Sequence, residues 1–227
     1  MNLSCISVII PTYNEDEVIE ETIKELKKYG IKQIIVVDGG SKDNTLVKVK
    51  NLGIDLIDIG YRSGYGDAFI RGLSRCTEEF VCKINADDSF DPIYLNEMFT
   101  LLKSNKYDVV FNSRYLKDAK SFDDTIIRKL GNFLFTNLCK ILFFTKNTDI
   151  LYNYHMSKKI NYESLKLEYR DFSICTEIPI KFHKLKYKIH EIPSIERSRK
   201  FGVSKVNAFY DGLKILLSTI KLLFIKI

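Results

Sequence analysis

The stretch ISVIIPTYNE, residues 6–15, decides the fold of this chain. It is a short β-branched run that stops at a proline and becomes polar within one residue. A second such run, QIIVVDGGSKD at residues 33–43, follows about one helix later. Both runs are apolar enough to be strands buried on both faces, as in a parallel sheet. Because ligands of open α/β sheets bind outside the carboxyl ends of the strands, we expect a polar ligand site there.

The composition predicts one compact domain. The 227 residues are 45% hydrophobic, which is enough for a sizeable core. The net charge of +6 could suit nucleic acid, an anionic membrane or phosphorylated substrates, but most lysines are scattered among acids and indicate a solvated surface. We therefore expect no nucleic-acid partner. The five cysteines have no metal-ligand spacing and predict buried thiols in a reducing compartment. The N-terminus leads almost directly into the first strand, so we expect no secretory signal.

Strand and helix patterns alternate along the first half of the chain, which favours right-handed crossovers and a mostly parallel sheet. Beyond the two opening runs, the predicted helices are 17–29, 41–49, 67–76, 93–103, 126–144 and one within 169–187, and the predicted strands are 54–59, 80–84, 108–111 and 188–192. The part after about residue 122 is interpreted as an elaboration of the same core. The predicted division is a domain at 1–212 and a C-terminal amphipathic helix at 213–227.

The segment NADDSFDP, residues 85–92, follows a predicted strand on the same edge of the sheet as Asp38. Clustered oxygen ligands at such an edge suit a hard cation such as Mg²⁺, which keeps several waters and bridges to a substrate phosphate. Turns are also rich in aspartate, so the pair alone is weak evidence. The prediction of a cation site is stronger because Asp38, Asn14 and Glu15 should lie on the same edge of the sheet.

Two glycine-containing loops are further candidates for contact with a ligand. The segment YRSGYGDA at residues 61–68 lacks the third glycine of a dinucleotide fingerprint, and it predicts a tight turn into a helix whose backbone N–H groups face a ligand. The segment RKFGVSK at residues 199–205 packs three cations around a glycine and a serine. Such a loop can wrap an anionic ligand, although an ordinary exposed basic loop has the same composition.

Taken together, these segments resemble the family 2 glycosyltransferases, and within them the branch of polyprenyl-phosphate (dolichyl-phosphate) sugar synthases. The matching segments are VIIPTYNE (8–15), VVDGGSKDNT (36–45), NADDSFDP (85–92), NSRY (112–115), CTEIPIK (175–181) and RKFGVSK (199–205). The resemblance implies a GT-A fold, which is a Rossmann-like, mostly parallel α/β sheet flanked by helices. It also implies an enzyme that binds a GDP- or UDP-linked sugar.

The resemblance further implies roles for individual residues at the donor end of the site. The residues that would bind the nucleotide sugar are Pro11, Tyr13, Glu15, Asp38, Asn85, Ala86, Arg199 and Lys205. Asp87, together with Asn85, would hold Mg²⁺ or Mn²⁺ on the diphosphate. Arg199 and Lys205 would lie on a mobile loop that closes over the donor phosphates.

At the acceptor end, Arg114 and Arg128 match basic residues that grip the phosphate of a lipid. Together with Asp87 they form the expected catalytic set. A phosphate acceptor is already ionised near neutral pH, so its attack on the anomeric carbon needs no strong general base. Positioning and charge stabilisation would supply the catalysis, and the configuration would invert.

Three positions depart from the family pattern. Asn85 stands where the family has the first carboxylate of its Asp-x-Asp motif, and an amide oxygen ligates a hard cation more weakly. Gly39 stands where the family usually has a second aspartate. The segment DILYNYH, residues 149–155, replaces the usual DxxSGFR, which affects the expected choice of donor or acceptor. His155 is interpreted as a surface or hydrogen-bonded histidine, and the role of Asp149 stays open.

The sequence leaves two alternative functions open. One is transfer to a glycan hydroxyl, which needs a general base that Asp123 or Asp124 could supply if the segment folds over the site. The other is a non-catalytic relative that binds nucleotide or lipid without turnover, an interpretation that Asn85 and Gly39 keep open. A nucleotidyltransferase is ranked low because no N-terminal glycine-rich loop carries a basic residue.

The lipid acceptor raises the question of membrane contact. The stretch 213–227 is shorter than the ~20 apolar residues needed to span a bilayer, and it contains three lysines. A helix with a broad apolar face can instead lie in the interface or pack on a partner. We expect a protein at the cytoplasmic face of the membrane, attached peripherally.

Overall fold

The computed structural model describes residues 3–201 and 206–225. The strands in these residues are β1 (Ile6–Thr12), β2 (Gln33–Asp38), β3 (Asp55–Asp58), β4 (Phe80–Lys83), β5 (Val109–Ser113), β6 (Lys120–Ser121), β7 (His155–Lys158), β8 (Ile189–Pro193) and β9 (Ile195–Glu196). The helices are α1 (Ile19–Lys28), α2 (Thr45–Asn51), α3 (Tyr65–Arg75), α4 (Leu95–Lys103), α5 (Ile126–Phe143), α6 (Lys159–Ser164), α7 (Ile174–Lys184) and α8 (Tyr210–Lys221). A 3₁₀ turn, Pro92–Tyr94, leads into α4.

Seven of these strands form the central sheet, in the order β3-β2-β1-β4-β7-β5-β8. All neighbours are parallel except β7, which runs antiparallel to both β4 and β5. The other two strands, β6 and β9, pair with each other beside it. The sheet is therefore mostly parallel and flanked by helices, as predicted.

Strands β1, β2 and β4 are buried on both faces, which confirms the prediction from residues 6–15, whereas the edge strand β3 is only partly buried. On β1, Val8 and Ile10 belong to one apolar core while Ile9 belongs to the other. All three side chains are fully buried. Successive side chains of a strand point to opposite faces, so a continuous apolar run is what a sheet with helices on both sides requires.

Helix α7 packs on the sheet, and α5 and α7 share a further apolar cluster with Leu222 at the end of α8. The hydroxyls of Thr176 on α7 and Thr219 on α8 lie 2.9 Å apart and are buried, and the Tyr169 hydroxyl donates to the Ser218 carbonyl at 3.0 Å. The predicted boundary between residues 212 and 213 falls inside α8. All five cysteines are free thiols, four of them buried.

Candidate active site

A cleft of about 540 Å³ opens at the carboxyl ends of β1, β2 and β4 and extends between α5 and α8. Its polar end is lined by residues from the loops that follow those strands, and its apolar end by helix side chains. The predicted site residues that line it are Pro11, Tyr13, Glu15, Asn85, Ala86, Asp87, Arg114, Arg128 and Arg199. The chain thus brings together most of the residues singled out in the sequence. Lys205 lies outside the described residues.

Hydrogen bonds connect the segments after β1 and β2 at the polar end of the cleft. The backbone N–H of Asn14 donates to Ser41 Oγ at 2.8 Å, and that of Glu15 donates to Thr45 Oγ1 at 2.9 Å. Asn14 has a left-handed backbone, with φ of 54°, which asparagine tolerates well. The Arg62 guanidinium lies 5.2 Å from the centre of the Tyr13 ring, within cation–π range.

Asp38 closes the turn after β2. Its Oδ1 accepts from the N–H groups of Gly40 and Ser41 at 2.9 and 2.7 Å, and its Oδ2 accepts from the Ser41 hydroxyl. The side chain is fully buried, and Gly39 lines the cleft in its place. In this conformation Asp38 shapes the polar end of the cleft through the turn that it holds.

Asp87 presents its carboxylate to the cleft from the loop after β4. Its Oδ1 accepts from the N–H and the hydroxyl of Ser89, at 3.1 and 2.6 Å. Its Oδ2 forms an ion pair with Arg199 at 2.9 Å, and both side chains are largely buried. The predicted metal ligand and the predicted phosphate-binding arginine are therefore direct partners.

The loop that carries Arg199 is held down by further ion pairs. Arg197 contacts Glu25, Asp88 and Asp91 at 3.1, 3.1 and 2.7 Å. Lys200 reaches Asp88 at 2.8 Å and an exposed glutamate of α1 at the same distance. The segment thus lies closed against the edge of the cleft.

A buried lysine, which the sequence reasoning did not single out, lies beneath the cleft. Lys83 is fully buried at the end of β4, and its ammonium donates to Asn85 Oδ1 at 3.0 Å and contacts the Tyr65 hydroxyl. The Tyr65 hydroxyl also donates to Asn85 Oδ1, at 3.1 Å. Burial lowers the pKa of Lys83 to about 7, although the carboxylate of Asp87 opposes that shift. A lysine inside the apolar run FVCKI, residues 80–84, was the signal that could have revealed it.

Arg114 lines the cleft, but its guanidinium is already engaged. It forms a bidentate pair with Asp149, at 2.7 and 2.9 Å, and a third contact with Glu196 at 3.2 Å. Burial alone would lower the pKa of Arg114, but the two carboxylates raise it well above its ordinary value. This geometry gives Asp149 a role, which is to fix Arg114 at the wall of the cleft.

Arg128 lies in the first turn of α5 with a much looser set of partners. Its guanidinium is 3.3 Å from the Asp123 carbonyl and 3.5 Å from the Asp123 carboxylate, and a third of the side chain is exposed. Thr125 caps this helix by accepting from the Arg128 N–H. An arginine and a helix N-terminus together favour an anion at this point of the cleft.

The apolar end of the cleft runs along α5 and α8. It is lined by Ile127, Leu130, Gly131, Leu134, Phe135, Gly212 and Ile215. Leu130 and Leu134 are each 58% exposed, so this end of the cleft is open to the surface. The arrangement places a long apolar groove directly beside Arg128.

The turn into α3 is shaped by a close approach of backbone, and Gly64 and Tyr65 in it also line the cleft. A Cβ added to Gly64 would lie 2.5 Å from the Arg170 carbonyl oxygen, and one added to Gly66 would lie 2.3 Å from the Tyr169 carbonyl oxygen. The Asp67 N–H donates to the Arg170 carbonyl at 2.8 Å. One N–H group of this turn, that of Asp67, is therefore used inside the protein, and the contact of the others with a ligand stays a prediction.

The oxygen groups fit a divalent ion held mainly by one carboxylate. Within residues 3–201 and 206–225, no three His, Cys, Asp or Glu side chains cluster as a metal site. Asp87 offers the carboxylate at the cleft, and Mg²⁺ needs only one or two carboxylates when substrate phosphates and waters complete its shell. The site therefore suits a metal that arrives with a diphosphate.

Comparison with known proteins agrees with this geometry. The model of the Glycosyl transferase family 2 matches residues 7–167, well over half of the chain. The sequence is 28% identical to an uncharacterized protein of Methanocaldococcus jannaschii over 97% of this chain and 93% of that protein. It is 24% identical to the UDP-N-acetylglucosamine–dolichyl-phosphate N-acetylglucosaminyltransferase of Methanococcus voltae over 92% of both. It is also 24% identical to the glycosyltransferase AglJ of Haloferax volcanii, over 87% of this chain and 64% of that protein.

Solved structures share the fold. Glucosyl-3-phosphoglycerate synthase from Mycobacterium tuberculosis, in complex with Mn²⁺, UDP and its product, superposes with a TM-score of 0.74 at 17% identity. The match covers 98% of this chain and 81% of that one. The same enzyme with Mg²⁺ and UDP superposes equally well. At this identity the likeness shows the fold alone, which is GT-A.

Proposed function

The chain belongs to glycosyltransferase family 2, and we propose that it moves a sugar from a nucleoside diphosphate onto the phosphate of a polyprenyl lipid, with inversion. The observation that carries the proposal is a single cleft that joins two kinds of surface. Its polar end has the carboxylate of Asp87 and its other end is an apolar groove, with Arg128 between them. A polyprenyl phosphate has this same combination of an anionic head and a long apolar tail.

The donor would bind at the polar end. The nucleoside would lie against Pro11, Tyr13 and Glu15, over the turn that Asp38 closes. A Mg²⁺ or Mn²⁺ ion held by Asp87 would neutralise charge on the diphosphate as it leaves. Arg199, now paired with Asp87, would turn to the phosphates, and we expect Lys205, which lies outside the described residues, to join it. Such a rearrangement costs little because one anion replaces another on the guanidinium.

The reaction itself needs positioning more than acid–base chemistry. A phosphate oxygen of the acceptor attacks the anomeric carbon from the face opposite the diphosphate. The bond from that carbon to the diphosphate oxygen breaks, and its electron pair leaves with the nucleoside diphosphate. No proton has to be removed from an ionised phosphate, so the protein contributes geometry and charge.

Arg128 and the N-terminus of α5 would hold the acceptor phosphate. The long contacts of Arg128 with Asp123 leave its guanidinium available to an incoming anion. Arg114 would act differently, because Asp149 and Glu196 already satisfy it. We infer that it fixes the wall against which the acceptor binds.

The lipid tail would follow the groove between α5 and α8 towards the membrane. The outer surfaces of these helices and the adjoining loops carry a set of exposed apolar side chains that we call the apolar face: Ile126, Ile127, Leu130, Phe133, Leu134, Ile141, Phe144, Phe209, Tyr210, Leu213, Leu217, Ile220, Leu223 and Phe224. Within the described residues, no helix has the length and hydrophobicity needed to cross a bilayer. The apolar face together with neighbouring lysines supports peripheral attachment, at the cytoplasmic side where nucleotide sugars are made.

The glycan-hydroxyl alternative finds less support. Asp123 is paired with Arg128 and lies 3.8 Å from Arg199, so its carboxylate is engaged by cations. One oxygen of Asp124 accepts from the Tyr115 hydroxyl, and the other is buried with no partner among the described residues. In this conformation Asp123 Oδ2 is engaged by cations and Asp124 Oδ2 by the Tyr115 hydroxyl, whereas an ionised phosphate acceptor needs no general base.

The proposal is tested by transfer from a panel of radiolabelled UDP- and GDP-sugars, with Mg²⁺ or Mn²⁺, into undecaprenyl or dolichyl phosphate. Label in the organic phase, lost in D87N and reduced in R128M, supports it and identifies the sugar. As a matched control, R75M removes an exposed arginine of α3 whose ion pair, among the described residues, is with Asp55, and which does not line the cleft. A donor that binds but yields no extractable label with either lipid would contradict the proposal.

A further inference from the structure

The amide of Asn85 stands where the metal-binding carboxylate of the family would be, and its oxygen is fully used. Asn85 Oδ1 accepts from Lys83 Nζ at 3.0 Å and from the Tyr65 hydroxyl at 3.1 Å. An amide oxygen has two lone pairs, so these two donors occupy both. A metal ion could bind Asn85 only by displacing one of them.

Lys83 cannot easily give way, because protein surrounds it completely. Its ammonium lies 4.7 Å from the centre of the Tyr65 ring and 4.4 Å from that of Phe90, and the whole side chain is buried. Tyr65 is fixed in turn by stacking on Phe172 at 5.1 Å. In the described part of the chain, Lys83 forms no ion pair with a carboxylate. Asn85 is therefore its main polar contact apart from the Tyr65 hydroxyl.

Charge gives a second reason against a metal at this position. A divalent ion bound to Asn85 would lie within a few ångströms of the Lys83 amine, in a setting where water screens charges poorly. Asp87, two residues on, also has a cation beside it, Arg199 at 2.9 Å, and its other oxygen accepts from Ser89. The two candidate ligands differ in their own charge: the carboxylate of Asp87 offsets the charge of a cation that it binds, whereas the neutral amide of Asn85 offsets neither a metal ion nor Lys83.

We propose that Lys83 and Asn85 form a pair that keeps the divalent ion away from position 85, so that the ion is held by Asp87 and the donor phosphates alone. The inference rests on the proposed metal-dependent donor site, and it replaces the expectation that Asn85 is a ligand. Lys83 acts as a positioning residue: it fixes the amide of Asn85 as part of the cleft floor. Metal and donor then bind together, because the protein by itself offers too few ligands.

The test is Mn²⁺ binding to the purified protein, followed by the electron paramagnetic resonance signal of the free ion at one fixed pH. Mn²⁺ is titrated alone and then with UDP or GDP, with no sugar and no acceptor present. Because Asn85 is not a ligand, N85A should leave Mn²⁺ affinity within about 3-fold of wild type, whereas losing a true ligand or its support costs about 10-fold or more. D87N should abolish binding and shows that the assay detects the site.

A second pair of variants tests the part played by Lys83. In N85D the new carboxylate forms an ion pair with the Lys83 ammonium, so Mn²⁺ affinity should rise by no more than about 3-fold. In K83M/N85D that carboxylate is released, and affinity should rise by about 10-fold or more. N51D, at an exposed position of α2, controls for the added negative charge, and K158M controls for removal of a lysine from the same sheet.

Three results would overturn the inference: N85A weakens Mn²⁺ binding by 10-fold or more, N85D alone binds as tightly as the double variant, or no variant binds Mn²⁺ at all. N85A and N85D keep Lys83 in place, so they decide the question even if the double variant does not fold. Failure to label a lipid phosphate would not alter these titrations. The Mn²⁺ titrations therefore test the role of Lys83 and Asn85 independently of the proposed lipid-phosphate acceptor.

Discussion

At the scale of single residues, Arg114 shows how a side chain can belong to the site without being free to act in it. The sequence places it among the phosphate-gripping residues, yet the structure satisfies its guanidinium with Asp149 and Glu196. The reason lies in residues distant in sequence, because Asp149 and Glu196 approach only through the fold. No local pattern around residues 112–115 could have predicted that pairing.

We predict that R114M lowers the free energy of unfolding by about 3–5 kcal/mol, because it leaves two buried carboxylates without their cation. R128M should cost less than about 1 kcal/mol, since Arg128 is partly exposed and loosely held. Urea denaturation of the two variants and the wild type measures both values. Equal stability of R114M and wild type, together with lost transfer, would mean that Arg114 acts on substrate.

His155 is the residue whose surroundings the sequence could describe only as surface or hydrogen-bonded. It is fully buried on β7, where Nε2 contacts Asn153 Oδ1 and Nδ1 lies 2.6 Å from the Tyr162 hydroxyl. Asn153 Oδ1 can only accept, so Nε2 carries the proton and Nδ1 accepts from the tyrosine. Burial, reinforced by the nearby Lys83, holds the pKa of His155 well below its ordinary value of 6.5.

This histidine should make stability depend on pH in a defined direction. Its pKa is lower in the folded state, so below pH 6.5 the unfolded chain takes up a proton that the folded chain refuses, and stability falls. We predict that wild type loses about 1.4 kcal/mol more than H155Q between pH 7.5 and 5.5. Urea denaturation at the two pH values measures the difference, and a constant gap between the two proteins would contradict the prediction.

At the scale of elements, the alternating strands and helices of the first half were predictable because each has its own apolar pattern. The strand β7 was not, since its residues HMSK carry no strand signal of their own. It inserts between β4 and β5 and runs antiparallel to both, so its existence depends on a gap that only the folded sheet creates. Tertiary context overrides local propensity at such positions.

Two helical glycines, Gly66 in the first turn of α3 and Gly131 in α5, yield contrasting predictions. G66A should destabilise the protein by about 1–3 kcal/mol, because its Cβ would press on the Tyr169 carbonyl and shift the loop that carries Phe172. A Cβ added to Gly131 in α5 would have nothing within 4 Å, so G131A should stabilise by about 0.5–1 kcal/mol. Thermal unfolding of both variants measures the contrast. A G66A protein as stable as wild type would show that the close approach is absent in solution.

The apolar face defined above predicts membrane attachment at the level of α5 and α8. The double variant F209S/F224S removes two side chains that are more than 80% exposed, and it should weaken binding to phosphatidylglycerol vesicles by about 10-fold or more. The control V47S/I160S removes exposed apolar side chains from α2 and α6 and should leave binding unchanged. Vesicle flotation gives the bound fraction. Wild type that stays off vesicles and elutes as a dimer would instead assign the face to a second copy of the chain.

At the scale of the whole molecule, the sequence was sufficient for the family, the GT-A fold and the edge of the sheet where the site lies. Each of these follows from motifs whose residues are contiguous, such as 8–15 and 85–92. The sequence did not predict the contacts within the candidate site. These are the Arg199 ion pair with Asp87, the turn around Asp38, and Lys83 beneath Asn85. These depend on the distance between chain segments, which composition and spacing do not encode.

The central claim is that the acceptor is recognised through its phosphate. The most direct measurement compares polyprenyl phosphate with the free polyprenol of the same length, using the donor that the panel identifies. We predict label in the lipid phase with the phosphate alone, because Arg128 and the N-terminus of α5 would bind an anionic head group that polyprenol lacks. Comparable transfer to polyprenol, or full activity of R128M with the phosphate, would contradict the account.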